Sequence, residues 1–162
     1  MKTVVEIIWS VLQTQVLTPV LVVVPPSGAT AEQINAEEHL LGMPIAAEYR
    51  QLLASWNGID LDVLRFYGCG QTHPGMGRLF ERQIRDRSGS AEGGLVIGSD
   101  PAGFVYIQNL DGRILTLDTD GGEIRLSAEN LADFLGRLVF GKDAAEFGGP
   151  DWEATIRQNG LL

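Results

Sequence analysis

Two side chains of the sequence could act together as a nucleophile and its base. Cys69 and His73 lie four residues apart in the segment GCGQTHPG. A thiolate beside an imidazole can form a covalent intermediate, and the same pair could supply half of a metal site. His39 is the only other histidine and Cys69 the only cysteine, so a closed zinc site lacks its second pair of ligands. The loop also lacks an obvious Asp or Asn to orient the histidine. The sequence therefore favours a structural loop, and a hydrolase that uses Cys69 and His73 is the weaker hypothesis.

Aspartates form a second set of candidates, because they could act as paired carboxylates or calcium ligands: Asp60, Asp62, Asp100, Asp111, Asp118 and Asp120. Asp111-Gly112 and Asp120-Gly121-Gly122 have the composition that hairpin turns require. The alternating acids that end in Glu in a calcium-binding loop do not occur. The sequence favours turn positions, and exposed turn tips are compatible with partner binding.

Three arginines would share one face of a helix predicted over residues 78–87, namely Arg78, Arg82 and Arg85. Two acids within the same segment dilute their charge. The whole chain carries a net charge of −9, whereas nucleic acids and anionic membranes both attract a basic surface. We therefore expect a solvated helix face here, with neither nucleic acid nor membrane as a direct partner.

The negative charge is concentrated in the second half of the chain. Residues 88–162 carry 12 of the 21 acidic side chains but only 5 of the 12 basic ones. Such a field could steer a basic partner protein towards this half. Simple solubility is the alternative explanation.

The apolar N-terminal stretch does not have the pattern of a membrane span or a secretory signal. Glu6, Gln13 and Pro19 interrupt it well short of the roughly 20 apolar residues that a span needs, and no small-residue cleavage pattern follows it. The single cysteine also gives no sign of an oxidising compartment. We expect a cytoplasmic protein.

Two helices are predicted in the N-terminal part of the chain. Residues 3–16 place apolar side chains at helical spacing, and an extended segment with two prolines follows. Thr30 and Gln33 form the pattern of a capping box, which predicts a second helix over residues 31–41.

A third helix is predicted to begin at Pro44 and to carry Trp56 on its apolar stripe. Asn57 and Gly58 end it, since both residue types tolerate left-handed backbone. Weak alternation over residues 60–68 predicts a strand. The tryptophans are predicted to pack in the core or between helices: Trp9, Trp56 and Trp152.

From residue 93 the apolar pattern changes to the period of strands. Four strands are predicted, over residues 94–98, 104–110, 113–119 and 122–126. A turn over residues 98–103 joins the first two. Helices are then predicted to begin at Ser127 and Asp151, both good capping residues.

This order of elements predicts the α+β class. An antiparallel β-meander is packed by N-terminal and C-terminal α-helices in a single domain that spans residues 1–162. Residues 1–29 form the N-terminal helix and extended segment, and residues 141–162 hold the C-terminal helix.

Two blocks of the sequence together resemble the SUKH superfamily. LLGMPIAAEYRQLLASWNG, residues 40–58, resembles its first block, with a Pro opening, a Tyr one turn later and a terminal Asn-Gly. LVIGSDPAGFVYIQNLDGRILTLDTD, residues 95–120, resembles its strand-turn-strand block, except for Pro-Ala-Gly-Phe after the turn, where the family usually has a glycine run and a polar residue. The resemblance covers about residues 30–140. The residues that match the family motifs, with structural roles implied, are Pro44, Tyr49, Leu53, Trp56, Asn57, Gly58, Ile97, Gly98, Gly103 and Asp118.

The resemblance implies a binding protein rather than an enzyme, without cofactor or metal. Bacterial members of the superfamily resemble immunity proteins, which neutralise a secreted toxin, often a nuclease, by direct binding. Eukaryotic relatives are regulatory or scaffold proteins, which is the alternative function here. Since nuclease toxins are typically basic, we expect the partner to be a basic toxin domain. The predicted contacts are the exposed acids of the meander: Asp100, Asp111, Asp118, Asp120 and Glu123.

Overall fold

Two capping boxes fix where the first long helices begin. In the computed structural model, which describes residues 1–86 and 93–162 (of residues 84–86 the backbone alone), Thr3 Oγ1 accepts a hydrogen bond from the amide of Glu6. The Glu6 carboxylate in turn accepts from the amide of Thr3. Thr30 and Gln33 repeat this arrangement, as predicted, and Gly42 ends that helix with a φ of 68°.

The helices of the described residues are α1 (Val4–Leu12), α2 (Ala31–Leu41), α3 (Ala47–Ser55), α4 (Leu79–Asp86), α5 (Leu131–Asp133, continued as a π-helix over Phe134–Val139), α6 (Ala144–Gly148) and α7 (Pro150–Gln158). A 3₁₀ turn at Pro19–Leu21 precedes the first strand. The strands are β1 (Val22–Val23), β2 (Ile59–Leu61), β3 (Arg65–Phe66), β4 (Leu95–Ser99), β5 (Phe104–Gln108), β6 (Ile114–Asp118) and β7 (Ile124–Ala128).

These strands form one antiparallel sheet in which their spatial order equals their order in the chain. Leu95, Val96 and Ile97 of β4 are all buried. Because successive side chains of a strand point to opposite faces, the middle of the sheet is covered on both sides. The predicted α+β meander is confirmed.

The sequence-based boundaries are wrong at several helices. α1 ends at Leu12 rather than residue 16, and α3 begins at Ala47, so Pro44 precedes the helix instead of opening it. Ser127 belongs to β7, and Asn130 caps α5 in its place through a 2.8 Å bond from the amide of Asp133. Gly149, not Asp151, precedes the first turn of α7.

The strand predictions also need two corrections. Residues 60–68 form a hairpin of β2 and β3 rather than one strand, because Asp62 adopts a φ of 68° and reverses the chain. Gly98 lies inside β4, at the bulge where its pairing with β5 shifts, so the turn begins after Ser99.

The N-terminal helix is part of the core. Val4, Ile7, Ile8 and Val11 are buried on one side of α1. Trp9 is 52% exposed and so lies outside the core, but its ring packs 5.6 Å from that of the buried Trp56 at the end of α3, which fits the predicted packing between helices. At the C-terminal end, Trp152 donates to the carbonyl of Val139 and is half-buried, as a packing residue should be.

Candidate partner-binding surface

The meander places two of its turns side by side at one end of the sheet. Phe104 at the start of β5 pairs with Asp118 at the end of β6. Thr119 then bonds across to the carbonyl of Gly103, with its hydroxyl 2.6 Å away. In an antiparallel meander alternate turns share an end, so residues 100–103 and 118–123 form one continuous edge, which we call the double-turn edge.

Asp100 lies on this edge, but its carboxylate is already hydrogen-bonded to residues of its own turn and of β5. Oδ1 accepts from the amides of Ala102 (2.9 Å) and Phe104 (3.1 Å), and Oδ2 accepts from the hydroxyl of Tyr106. Burial and the bond to Asp100 both raise the pKa of Tyr106. Asp100 is half-buried, which corrects the expectation of an exposed acid and gives it a role in shaping the turn.

Asp118 also accepts hydrogen bonds within its own turn, whereas the nearby acids Asp120 and Glu123 face solvent. Its Oδ1 accepts from the amides of Asp120 and Gly121, and the residue is half-buried. Asp120 and Glu123 are exposed. Asp118 and Glu123 also line a cleft of about 200 Å³ together with Phe104, Thr116 and Arg125. The free negative charge of the double-turn edge therefore comes from Asp120 and Glu123.

Asp111 lies at the opposite end of the sheet. It sits in the turn between β5 and β6, where its Oδ1 accepts from the amide of Arg113 at 3.1 Å. Its side chain is 58% exposed, and Arg113 also lies 3.3 Å from Glu129. The five predicted contact acids thus do not form one patch: four lie at the double-turn edge, and Asp111 is remote from them.

The motif residue Tyr49 ties α3 to the sheet. It is fully buried, and its hydroxyl lies within hydrogen-bonding distance of the carbonyl oxygens of Tyr67 and Ile97, the latter at 3.0 Å. Burial raises its pKa well above the usual range, so the phenol stays protonated and donates. The neighbouring motif residues Leu53, Trp56 and Ile97 are buried in the core.

Asn57 and Gly58 hold the loop that follows β3. Asn57 Nδ2 donates to the carbonyl of Cys69 at 2.8 Å, and its Oδ1 accepts from the Cys69 amide at 2.7 Å. Gly58 has a φ of 83°, and a Cβ there would lie 2.6 Å from Met76 Cγ. Only Gly58 of the pair adopts left-handed backbone. The side-chain amide of Asn57 therefore holds the backbone of Cys69 in place, and Asn57 does not supply the left-handed residue of the turn.

The surroundings of Cys69 and His73 are not those of a catalytic dyad. Cys69 is fully buried, and burial, followed by the charge of Glu37, raises its pKa to about 11. A thiolate nucleophile requires the opposite shift. His73 is exposed, and its Nδ1 lies 3.1 Å from the carbonyl of Pro74. The structural-loop interpretation is supported by this environment.

An ion pair that was not predicted from the sequence stabilises the same loop. The Glu37 carboxylate is 1% exposed, and Arg78 donates to it through Nε and Nη2 at 2.9–3.2 Å. The amides of Gly70 and Phe80 donate to the same carboxylate. Arg78 is therefore not part of a solvated face, and Arg82 lies 5.1 Å above the ring of Tyr67. The side chain of Arg85 lies outside the described residues. The signal in the sequence that could have identified Glu37 is a charged residue on the side of α2 that packs against the protein.

Two further observations concern metals and membranes. Among the described side chains, those of residues 1–83 and 93–162, no group of three or more His, Cys, Asp or Glu is arranged to hold a metal ion. In the same part of the chain, every helix is too short or too polar to cross a bilayer.

The fold defines an α+β protein with one antiparallel meander, in which the motif side chains hold turns and loops in place. The chain belongs to the SMI1/KNR4 family (SUKH-1), whose family model matches residues 28–137. These limits agree with the 30–140 expected from the sequence. Proteins of this family are generally non-catalytic immunity or regulatory proteins. No curated protein sequence matches the chain closely enough to count as a relative.

Proposed function

We propose that this protein is an immunity protein that binds a basic toxin domain of the nuclease type and blocks its active surface. The observation that carries the proposal is the family match over residues 28–137, since immunity proteins of this fold act by direct binding. The partner is bound stoichiometrically and no bond is made or broken.

The distribution of charge supports a basic partner. Asp120 and Glu123 project from the double-turn edge with their carboxylates exposed, and the chain has a net charge of −9. A nuclease needs a basic groove to hold phosphates, so the two surfaces attract each other. Rim charges of this kind mainly accelerate association, while desolvated groups near the centre determine affinity.

The proposal is tested by co-expression with the toxin domain encoded beside the gene. We expect the protein to restore growth of cells that express the toxin and to elute with it as a 1:1 complex. Growth inhibition that persists despite equal expression of both chains contradicts the proposal. A complex with a non-toxic neighbouring product would instead support the regulatory alternative.

The contribution of the double-turn edge is tested with Asp120→Asn combined with Glu123→Gln. We expect the association rate with the toxin domain to fall about tenfold at low salt, with a smaller change at high salt because the charges are then screened. Glu146→Gln combined with Asp151→Asn is the matched control, since it removes two exposed acids from α6 and α7. Equal effects of the two double variants contradict a specific role for this edge.

A further inference from the structure

Strand β7 is the last strand of the sheet, and its outer side is open. In the described residues it pairs with β6 on one side and has no strand on the other. Arg125 and Leu126 are both exposed, the leucine to 51%. Because successive side chains of a strand point to opposite faces, both faces of β7 reach solvent here. A strand with this exposure is a template for pairing with another chain.

The backbone groups of Ile124 and Leu126 point away from the sheet. The amide of Asp118 donates to the carbonyl of Glu123 at 2.9 Å, and the register of β6 and β7 places these two residues opposite each other. Hydrogen-bonded and non-hydrogen-bonded pairs alternate along an antiparallel ladder. Arg125 therefore bonds to β6, whereas the N–H and C=O groups of Ile124 and Leu126 face outwards. In the described part of the chain, no group outside the sheet bonds to them.

The charges on either side of Ile124 select the chain that pairs with β7. Glu123 and Arg125 are both exposed, and neither side chain forms an ion pair or hydrogen bond with another described residue. When two β7 strands pair antiparallel about a two-fold axis at Ile124, Glu123 of each copy lies opposite Arg125 of the other. Oppositely charged cross-strand pairs are stabilising, and the symmetry of the pairing supplies two of them.

The same charges disfavour the neighbouring two-fold registers. An axis at Arg125 places two arginines opposite each other, and an axis at Glu123 places two glutamates opposite each other. An axis at Leu126 brings Glu123 opposite Glu129. Like charges directly opposite each other are destabilising. Among axes within residues 123–126, only the one at Ile124 therefore pairs opposite charges.

We propose that two copies of this protein associate through their β7 strands, antiparallel and with the two-fold axis at Ile124, so that the sheet continues from one copy into the other. On one face Ile124 contacts Ile124 of the second copy, and Leu126 of each copy lies diagonal to this contact, within reach of a long side chain. The two Glu123–Arg125 pairs lie on the other face. The partner at this strand is thus a second copy of the chain.

This dimer goes beyond the proposed function and does not depend on it. Glu123 also belongs to the double-turn edge, so a copy that is paired through β7 does not present this carboxylate to a toxin. The dimer and the 1:1 toxin complex therefore exclude each other, and the dimer is tested on the full chain alone.

Sedimentation velocity measures the self-association. We expect a reversible dimer with a dissociation constant on the order of 10–100 μM, because a short strand buries little surface. Arg125→Glu and Glu123→Arg each replace two attractive pairs by two repulsive ones and should raise this constant about tenfold or more. Lys142→Glu and Glu146→Arg are the matched controls, since they change the net charge equally at exposed positions, and should leave it unchanged. A natural chain that stays monomeric at about 1 mM, or variants that dimerise like it, overturns the proposal.

Mixing the two variants tests the register. Arg125→Glu has two acids at these positions and Glu123→Arg has two arginines, so each repels itself and complements the other. We expect the equimolar mixture to form a heterodimer about as tightly as the natural chain pairs with itself. The double variant that exchanges the two charges should dimerise as well. Failure of both to dimerise shows that Glu123 does not lie opposite Arg125, and the proposal falls.

Amide exchange identifies the strand. In the dimer the amide of Ile124 donates to the carbonyl of Ile124 in the second copy, whereas the amide of Arg125 bonds to β6 in either state. We expect exchange at Ile124 to slow as the protein concentration rises through the dissociation constant, with exchange at Arg125 unchanged. A dimer that leaves exchange at Ile124 unaltered is joined through another surface, which overturns the proposal.

The two proposals fail in different ways. If the neighbouring toxin is not neutralised while the two charge variants form their heterodimer, the proposed function falls and the dimer remains. If the toxin is neutralised and the natural chain is monomeric, the dimer falls and the proposed function remains.

Discussion

At the residue scale, the segment that first suggests catalysis is held in place by two buried polar side chains, Glu37 of α2 and Asn57 in the turn after α3. Asn57 binds both backbone groups of Cys69, and Glu37 binds the amide of Gly70 as well as Arg78. Each bond satisfies a backbone or charged group that would otherwise be buried unpaired. The conformation of the loop is thus a consequence of side chains remote in sequence.

The burial of Cys69 predicts an inert thiol whose protonation couples to stability. In the unfolded chain the thiol ionises near its usual value of 9.0, whereas the native thiol keeps its proton until about 11. The stabilising contribution of the buried neutral thiol is complete below pH 9 and is lost as the pH rises to about 11. We therefore expect the stability advantage of the natural chain over Cys69→Ala to shrink across this range, as measured by urea unfolding. A difference that is constant with pH would contradict the assigned environment.

The Glu37–Arg78 pair predicts a large cost for Glu37→Gln. The change leaves Arg78 without its counter-charge while two amides lose a charged acceptor, so we expect a loss of about 2–3 kcal/mol in the free energy of unfolding. Glu153→Gln is the matched control, because Glu153 pairs with Arg157 at 3.1 Å on the surface and such pairs contribute roughly 0.3–0.5 kcal/mol. Comparable losses in the two variants would show that the buried pair has no special role.

At the element scale, glycines of the family motifs are sites of close approach between strands and loops. A Cβ on Gly98 would collide with the carbonyl oxygen of Arg65 and lie 3.1 Å from the ring of Phe66. Gly98 is also where the pairing of β4 with β5 shifts. Because Gly98 has no Cβ, the carbonyl of Arg65 in β3 can lie against it, and the motif glycine belongs to a strand rather than to the turn.

Gly98→Ala is expected to destabilise the protein by about 2 kcal/mol or more, since overpacking against backbone leaves little room to relax. Gly121→Ala is the control: its Cβ would make an ordinary contact of 3.4 Å with Asp118, and we expect a change within about 0.5 kcal/mol. Thermal or chemical unfolding of both variants measures the difference. If Gly98→Ala unfolds like the natural chain, the close packing of β3 and β4 is not required.

The elements differ in how far the sequence could predict them. The strands β4 to β7 have five residues each and are apolar runs separated by turn sequences, so strand composition and turn spacing identified them. β1 and β3 have two residues each, too few for any period, and pairing with neighbours creates them. The same holds for the candidate site: turn composition located Asp111 and Asp120, but the buried carboxylate of Glu37 depends on contacts distant in sequence.

At the scale of the whole molecule, the family match and the folded unit do not coincide. The match begins at residue 28, yet α1 lies before it and buries four apolar side chains in the common core. β1 also precedes the match and forms the first strand of the sheet. The core of this protein is therefore completed by a segment that the family pattern does not include.

If α1 is integral to the core, truncating its buried face should cost as much as truncating any core residue. Ile8 is fully buried, and Ile8→Ala should lower the free energy of unfolding by about 2–5 kcal/mol through lost burial and a residual cavity. Val20→Ala is the matched control within the same N-terminal segment, because Val20 is 88% exposed and its change should stay within about 0.5 kcal/mol. Urea unfolding followed by far-UV circular dichroism measures both. A small loss for Ile8→Ala would mean that α1 is only loosely attached, and the folded unit would then shrink to the part that the family shares.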